Sequence, residues 1–377
     1  MTLATSPVLR LMDVDCTSLV GDTRNDSRDP HTLKESPMKF PIRAAITLVL
    51  VVSGFAGVAG TSAATGAGIR VLKGSAYGFD ADTAMVSNGK VIWVANSGGN
   101  SVTEIDAATG AKLNLFKSSK FGFDGPNHLS DDGTDLWVSN GAGNSVTELN
   151  ATTGALVRVI KGSTYKLHGT GLITSDGSDV WIANLRGTTL AELSATSGNF
   201  EKDVNVSSIG LAQVNALTSD SAHVWAVDSG ANAVAEFNVG SGARVTVLKG
   251  KPYRLDGPVP IASDGTHVWV GNDRTNSLSE LNAKTGAFIR YIKGTNFGLN
   301  VMTAIASNGH DVWVTSLGVG NSSASVSGFN ASSGAFVVAM TEPEFGLGAL
   351  NAVIYAGGHL WVANSGLDAV IEVVSVG

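Results

Sequence analysis

Seven tryptophans recur at a nearly constant spacing along this chain of 377 residues. The spacing is 44 residues five times and 48 residues once, between Trp93, Trp137, Trp181, Trp225, Trp269, Trp313 and Trp361. An aromatic or aliphatic residue also stands 16 residues before every tryptophan, from Tyr77 to Phe345. A fixed period of about 40–50 residues indicates a repeat architecture in which each unit packs on its neighbours.

Each repeat reads as four short strands. In the unit around Trp137, the segments 128–131, 136–140, 145–150 and 155–162 are rich in β-branched residues and are bounded by Gly, Asn or Asp. No window shows a convincing helical period. Four antiparallel strands, here named a to d from the inside outward, are typical of a β-propeller blade. The sequence therefore predicts an all-β, seven-bladed β-propeller.

The two ends of the chain predict how the ring closes. The last residues supply strands b and c of a seventh unit and then stop, while IRVLKG at 69–74 matches the d strand ALVRVIKG of the second unit. Residues 66–377 number 312, the length of seven 44-residue units with one four-residue insertion. We expect the N-terminal strand to complete the C-terminal blade, which protects sheet edges from aggregation.

Composition excludes several classes of protein. Hydrophobic residues are 43% and charged residues 15% of the chain, which is too apolar for bulk disorder. The one cysteine, Cys16, rules out a disulfide scaffold. A formal charge of −7 argues against nucleic acid as a partner, because such proteins carry basic surfaces.

The N-terminal segment reads as a targeting sequence. Lys39 and Arg43 precede an apolar run at 44–58, and small residues at 61–64 fit a cleavage site, so 38–65 is predicted to be a signal peptide. An uncleaved membrane anchor at 44–64 is the alternative. Residues 1–37 are polar and are interpreted as a disordered or non-native extension, with Met38 a candidate start. We therefore expect a secreted or extracytoplasmic protein, with membrane contact only if 44–64 is retained.

The repeat sequence itself resembles a known family. VANSGGNSVTEIDAATGAKLNLF at 94–116 and its copies are similar to bacterial YVTN-type (YncE-like) propeller repeats. That resemblance implies a propeller and an exported protein, but no specific activity. Streptogramin B lyase is similar in architecture and relies on a His/Glu cluster with a divalent metal. Here the channel-side histidines are accompanied by aspartates, which is a departure from the lyase pattern.

Residues that recur in every blade are interpreted as structural. The strand-b tryptophans are expected to pack between blades. A glutamate recurs in strand c of six units and is expected to make blade-linking hydrogen bonds: Glu104, Glu148, Glu192, Glu236, Glu280 and Glu372. Asp-Gly and Asn-Gly pairs such as 132–133 predict turns rather than calcium sites. Four histidines in the a–b turns, His223, His267, His310 and His359, are predicted to be solvated.

Residues that differ between blades are the candidates for function. In a propeller, the d–a and b–c loops share one face around the channel. The predicted ligand-binding residues on this face are Asp80, Asp124, Asn127, His168, Arg186, Arg254, Asp256 and Arg274. His128 and His168 are the candidate catalytic residues, and Asp80, Asp124 and His168 are the candidate ligands for a divalent metal. Carboxylates and imidazoles that converge in a concavity are typical of a binding site.

Two functions follow as hypotheses. The first is a ligand- or protein-binding module that uses this face for an unknown protein or a small polar ligand. The second is a metal-dependent lyase or hydrolase with His128 or His168 as the general base, because unperturbed histidine titrates near neutral pH. The sequence contains neither a G-x-S-x-G motif nor a phosphate-binding loop, so it supports no serine triad and no nucleotide chemistry.

Overall fold

The computed structural model describes residues 68–294, 296–318, 324–341 and 349–374, except for the side chains of Asp82 and Thr83. The chain divides into two units, Met1–Thr61 and Ser62–Gly377, and all the described residues belong to the second. The predicted extension and signal peptide lie outside the described residues, as does part of the sixth b–c loop. No helix in the described part of the chain is long and apolar enough to cross a membrane.

In the described residues, 28 strands form seven four-stranded antiparallel sheets, which confirms the predicted propeller. Blades are numbered 1 to 7 by their tryptophans, Trp93 to Trp361. The innermost strands are β2 (Asp82–Ser87), β6 (Pro126–Asp131), β10 (Thr170–Ser175), β14 (Ala216–Ser219), β18 (Pro258–Ser263), β22 (Met302–Ser307) and β26 (Leu350–Ala356). The second strands are β3 (Val91–Asn96), β7 (Asp135–Asn140), β11 (Asp179–Asn184), β15 (His223–Asp228), β19 (His267–Asn272), β23 (Asp311–Ser316) and β27 (His359–Asn364).

The outer half of each blade follows the same order. The third strands are β4 (Ser101–Asp106), β8 (Ser145–Asn150), β12 (Thr189–Ser194), β16 (Ala233–Asn238), β20 (Ser277–Asn282), β24 (Ser325–Asn330) and β28 (Ala369–Val374). The outermost strands are β5 (Lys112–Phe116), β9 (Leu156–Lys161), β13 (Phe200–Asn205), β17 (Arg244–Lys249), β21 (Phe288–Lys293), β25 (Phe336–Thr341) and β1 (Gly68–Lys73). Single-turn 3₁₀ helices in the described d–a loops are Ser119–Phe121, Ser163–Tyr165, Val206–Ile209 and Lys251–Tyr253.

The ring closes through the shared seventh blade, as predicted. β1 pairs antiparallel with β28, with Arg70 opposite Glu372, so the first described strand completes the last sheet. Neighbouring innermost strands contact one another around the whole ring, including β26 with β2. The closed ring encloses the edges of the innermost strands, which line the central channel.

The tryptophans pack between blades. All seven are at most 1% exposed, and each lies in an apolar cluster with residues of the following blade. Trp93 packs with Leu129 and Leu136 of blade 2, and Trp361 packs with Ile92 of blade 1. Large buried aromatics supply most of the interface free energy in such arrangements. The packing role predicted for these residues is confirmed.

The a–b turns show why Asp-Gly recurs. Asp132 Oδ1 accepts hydrogen bonds from the backbone N–H groups of Thr134 and Asp135 at 2.9 and 2.7 Å, and its Oδ2 accepts one from Trp137 Nε1 at 2.7 Å. Asp176 and Asp220 repeat this pattern with Trp181 and Trp225. The carboxylate therefore builds the turn and also anchors the buried indole, as expected for turn chemistry.

The recurring strand-c glutamates link blades through a cation. In four blades the buried glutamate pairs with a cation of strand d, and that cation donates to a carbonyl in the c–d turn of the next blade. The sets are Glu372–Arg70–Thr109, Glu148–Arg158–Thr196, Glu192–Lys202–Ser241 and Glu280–Arg290–Ser332. The blade link expected from the sequence exists, but the cation completes it.

A second link comes from the b–c loops. Asn100, Asn144, Asn232 and Asp368 each adopt a left-handed backbone, with φ from 47° to 51°. Their side-chain oxygens accept backbone N–H groups of the next blade's d–a loop, as Asn232 does from Gly257 at 2.6 Å. Asparagine and aspartate tolerate this conformation better than other residues with a side chain.

The prediction that the four histidines of the a–b turns are solvated is wrong for three of them. His223, His267 and His359 are only 13%, 16% and 22% exposed and lie beside Glu236, Glu280 and Glu372. The reason is strand alternation: a residue two positions before a buried tryptophan shares its face. His310 is 81% exposed, as predicted.

Candidate functional site

The d–a and b–c loops together form one face of the ring, here called the d–a face. Within a blade, the b–c loop donates backbone N–H groups to d–a carbonyls. Gly98 donates to Asp80 at 3.1 Å, Gly143 to Asp124 at 3.1 Å and Arg186 to His168 at 3.3 Å. The backbones of several predicted site residues are therefore fixed, while the side chains of Asp80, Asp124, His168 and Arg186 are exposed.

The candidate metal ligands are not gathered. In the described part of the chain, one group of three acidic or imidazole side chains places its donor atoms within 4.8 Å of one another, and it is Asp179, Glu192 and Glu201. Asp80, Asp124 and His168 belong to three different blades and form no such group. A divalent metal at these three residues stays a prediction.

The acidic group on blade 3 already has a cation. Lys202 Nζ lies 2.8 Å from Glu192 Oε1 and donates to Ser241 O at 2.7 Å. Burial raises the pKa of Glu192 to about 7 and also raises the pKa of Asp179. Glu192 of this group belongs to the glutamate–cation link between blades, and Lys202 already neutralises its charge.

Asn127 has a structural role in the inner ring. Its side-chain N–H donates to Thr170 O at 3.3 Å in blade 3, and its Oδ1 accepts from Ser139 Oγ at 2.7 Å. A Cβ added at Gly141 would lie 2.7 Å from Asn127 Nδ2, so the amide is tightly enclosed. Asn127 was predicted to bind a ligand. To do so, its side-chain amide would have to give up the hydrogen bond to Thr170 O that joins blades 2 and 3.

Three predicted residues do meet, on blade 5. We define the blade 5 rim site as Asn232, Lys251, Arg254, Asp256, Arg274, Thr275 and Tyr291. Six of them, all but Arg274, line a cavity of about 680 Å³ on the d–a face. The loop before β18 supplies Lys251, Arg254 and Asp256, the b–c loops of blades 4 and 5 supply Asn232 and Arg274, and β21 supplies Tyr291.

Local backbone geometry holds this loop. Gly250 at φ 77° starts the single-turn 3₁₀ helix Lys251–Tyr253, and Arg254 ends it in the left-handed region at φ 56°. A Cβ added at Gly257 would lie 2.8 Å from Arg274 Cγ, so glycine there allows Arg274 to pack on the loop. Asn232 also accepts from Gly257, which ties the site to blade 4.

The arginines of the rim site are loosely paired. Arg274 Nη1 lies 3.6 Å from Asp256 Oδ1 and 3.4 Å from Asn232 Oδ1, with side-chain exposures of 59% for Arg274 and 47% for Asp256. The Arg254 guanidinium lies 5.6 Å from the centre of the Tyr291 ring, within the range of a cation–π contact. Exposed pairs of this kind contribute about 0–1 kcal/mol, so both guanidinium groups remain available to a ligand.

Positive charge exceeds negative charge at this site. Three cations, Lys251, Arg254 and Arg274, face one carboxylate, Asp256, in a chain of formal charge −7. Burial would raise the pKa of Tyr291, but hydrogen bonds with Ser277 and Thr275 and the nearby Lys293 and Arg254 lower it. The site is a local basic patch on an acidic protein.

A second cavity is the central channel. It holds about 610 Å³ and is lined by the innermost strands of all seven blades. His128 and Tyr355 are the titratable side chains among the described residues that line it. Burial lowers the pKa of His128 to about 4, and its Nδ1 is shielded from solvent with no hydrogen-bond partner in the described structure.

The sequence analysis missed four residues of this site: Asn232, Lys251, Thr275 and Tyr291. The signal for Tyr291 was available in the repeat, because the equivalent outer-strand positions hold Leu115, Val159 and Val247. Lys251 gives no such signal, since lysine is common in exposed loops. Asn232 was not singled out because asparagine recurs at the equivalent position of several blades, and recurring residues were interpreted as structural.

No protein-family model and no curated protein sequence matches this chain. Solved structures do match. Virginiamycin B lyase from Staphylococcus aureus has a TM-score of 0.63 at 16% identity, covering 82% of this chain and 100% of that chain. A streptogramin B lyase structure has a TM-score of 0.64 at 14% identity, covering 81% and 97%. A chain of the mitotic checkpoint complex has a TM-score of 0.63 at 15% identity, covering 88% and 99%.

The chain has the fold of the streptogramin B lyase-like propellers. The TM-scores of 0.63–0.64 show a shared fold, and identities of 14–16% limit the likeness to the fold. Such a fold hosts unrelated functions, as the mitotic checkpoint match illustrates. The resemblance to YVTN-type repeats stays a prediction from the repeat sequence.

Proposed function

We propose that this protein is a ligand-binding propeller whose blade 5 rim site takes a small ligand with a carboxylate or similar anionic group. The observation that carries the proposal is a cavity on the d–a face that is lined by Lys251 and Arg254, with Arg274 beside it. Arg274 lies 3.6 Å from Asp256, which is the sole carboxylate among the site residues. Three of the residues singled out by comparing blades, Arg254, Asp256 and Arg274, belong to this site.

The chemistry of arginine supports an anionic ligand. A guanidinium presents a planar set of N–H donors that matches a carboxylate, and charge-assisted hydrogen bonds are roughly twice as strong as neutral ones. The ring of Tyr291 holds the Arg254 guanidinium from one side, which reduces the side-chain entropy lost on binding. Asp256 would orient Arg274 or accept a ligand N–H group.

The size of the cavity supports a small molecule. A volume of about 680 Å³ lies in the range of small-ligand pockets, which is roughly 300–1,000 Å³. The propeller supplies a rigid frame for the blade 5 d–a loop. Gly257 in this loop accepts from Asp273 N of its own b–c loop and donates to Asn232 of the preceding blade. A rigid frame lets exposed loop residues bind without a large ordering cost.

The metal-dependent lyase is not the function that this geometry favours. Its candidate ligands, Asp80, Asp124 and His168, belong to three blades and form no common donor group in the described structure. Export remains part of the proposal through the predicted signal peptide at 38–65. Sequencing the N-terminus of the protein recovered from culture medium or periplasm would test it, with cleavage near residue 65 as the expected result.

Calorimetric titration with succinate, and with uncharged succinamide as the matched control, tests the ligand class. We expect succinate to bind and succinamide not to bind, with the succinate affinity falling as salt screens the charges. Arg254→Gln should weaken succinate binding about tenfold, the effect of losing one charge-assisted hydrogen bond.

Arg244→Gln is the control for net charge. Arg244 begins β17 and is exposed, outside the rim site. This variant changes the total charge as much as Arg254→Gln and should leave succinate affinity unchanged. Equal weakening by both variants, or binding of succinamide as tight as that of succinate, would contradict the proposal.

A further inference from the structure

The central channel holds one imidazole in a ring of apolar side chains. Nine residues before each tryptophan, the innermost strands present a residue that lines the channel. At this level six blades place small or apolar residues: Ala84, Leu172, Ala216, Pro260, Ala304 and Ala352. Blade 2 places His128 there. The propeller fold does not require a histidine at this position, because six equivalent positions do without one.

The two ring nitrogens of His128 differ. Nδ1 is shielded from solvent and has no hydrogen-bond partner in the described structure, whereas Nε2 is not shielded and bonds to no described group. A neutral imidazole carries a single N–H group. A buried N–H without an acceptor is costlier than a buried lone pair without a donor, so the proton belongs on Nε2. His128 then offers one N–H donor to the channel.

Four serine hydroxyls of the channel wall are already used as donors. Ser87 donates to Val91 O at 2.6 Å and Ser219 to Ser175 O at 2.7 Å. Ser263 and Ser307 donate to the turn carboxylates Asp220 and Asp264 at 2.7 and 2.6 Å. These protons are used within the wall of the channel, and the six residues at the level of His128 form an apolar ring around the imidazole.

We propose that the channel is a second binding site, for a small and mainly apolar molecule whose carbonyl-type oxygen accepts the Nε2–H of His128. The site is separate from the blade 5 rim site and does not depend on the function proposed there. Its volume of about 610 Å³ is that of a small-molecule pocket, and apolar side chains beside a few placed polar groups are the usual composition of such pockets. The lowered pKa of His128 agrees with this role, because the imidazole stays a neutral donor at neutral pH.

The probes for this proposal are 1-tetralone and tetralin, which share an apolar frame and differ by one carbonyl group. Saturation-transfer NMR measures binding of each, and histidine-selective ¹⁵N spectra report on the ring. We expect 1-tetralone to bind about three- to tenfold more tightly than tetralin, the worth of one neutral hydrogen bond. We also expect 1-tetralone to shift the Nε2 signal of His128.

Two variants and a control variant test whether the probes bind in the channel and whether His128 causes the preference for the ketone. His128→Leu should remove the preference for the ketone while leaving tetralin binding unchanged, and leucine is accommodated at the equivalent position of blade 3, Leu172. Ala304→Phe should obstruct the channel and abolish binding of both probes. His310→Leu, at a residue that is 81% exposed in an a–b turn, should change neither.

Three results would overturn the proposal. They are equal binding of the two probes to the wild-type protein, a ketone preference that survives His128→Leu, and binding that survives Ala304→Phe. If either variant fails to fold, as judged by circular dichroism, the His128 Nε2 signal of the wild-type protein decides alone. The absence of a shift with 1-tetralone would then refute the donor role.

Discussion

Arg158 Nε lies 2.8 Å from the buried Oε2 of Glu148, within one blade, and Nη2 of the same arginine donates to Thr196 O in the next blade. The ion pair therefore satisfies a carboxylate that is 1% exposed and also joins two sheets. Three further glutamate–cation sets repeat this arrangement around the ring. Removing one partner of the Glu148–Arg158 pair should therefore lower the free energy of unfolding.

Arg158→Met is expected to destabilise the fold. It leaves the carboxylate of Glu148 buried without its cation, which costs about 3 kcal/mol in comparable buried pairs. Arg244→Met, at an exposed outer-strand position, should change the free energy of unfolding by less than about 0.5 kcal/mol. Chemical denaturation measures both, and equal effects would contradict the structural role of the pair.

Glu148→Gln should flatten the pH dependence of stability. Burial is the main cause that raises the folded pKa of Glu148 to about 7, against a usual carboxyl value near 4.5. The folded state then holds its proton more tightly than the unfolded state, so stability is lost as pH rises from about 4.5 through 7. Thermal midpoints from pH 5 to pH 8 should fall less steeply in the variant, and an unchanged slope would refute the assignment.

The stability of the protein below pH 6.5 should depend on His128. Burial lowers its folded pKa to about 4, below the usual 6.5. The unfolded state binds the proton more tightly, so this contribution is complete above pH 6.5 and is lost as pH falls through 4. His128→Leu should therefore lose less stability between pH 6.5 and pH 4 than the wild-type protein, as measured by denaturation at each pH. A steeper loss in the variant would be inconsistent with a buried neutral imidazole.

Asn144 tests the links between loops. Its φ is 48°, and its side chain accepts the backbone N–H of Gly169 in the next blade. Asn144→Ala should cost about 2 kcal/mol, from left-handed strain and the lost hydrogen bond. Asn144→Gly removes the strain and should cost about 1 kcal/mol. Equal losses in the two variants, measured by urea denaturation, would show that backbone strain plays no part.

Repetition made the fold predictable from the sequence. A tryptophan every 44 residues fixes the number of blades, and the match of 69–74 to later outer strands fixes the closure at β1 and β28. Turn residues such as Asp132 were also interpretable, because Asp-Gly chemistry is local. These features depend on residues close in sequence or copied in every unit.

The site was less predictable because it depends on contacts between loops of different blades. Asp80, Asp124 and His168 occupy equivalent positions, and the sequence could not tell whether neighbouring loops bring such positions together. Asp256 gains a partner because Arg274 lies in the b–c loop of the same blade, 3.6 Å away. The environment of His128 likewise depends on six other blades, whose alanines, leucine and proline form an apolar ring at its level.

The central claim is that the blade 5 rim site binds an anionic ligand, and arginine side-chain NMR tests it most directly. Succinate is titrated into protein with ¹⁵N-labelled arginine, and the Nε–Hε signals are assigned with the Arg254→Gln and Arg274→Gln variants. We predict saturable shifts of the Arg254 and Arg274 signals, with those of Arg244 and Arg186 unchanged. Shifts spread evenly over the exposed arginines, or confined to Arg186, would contradict the assignment of this site.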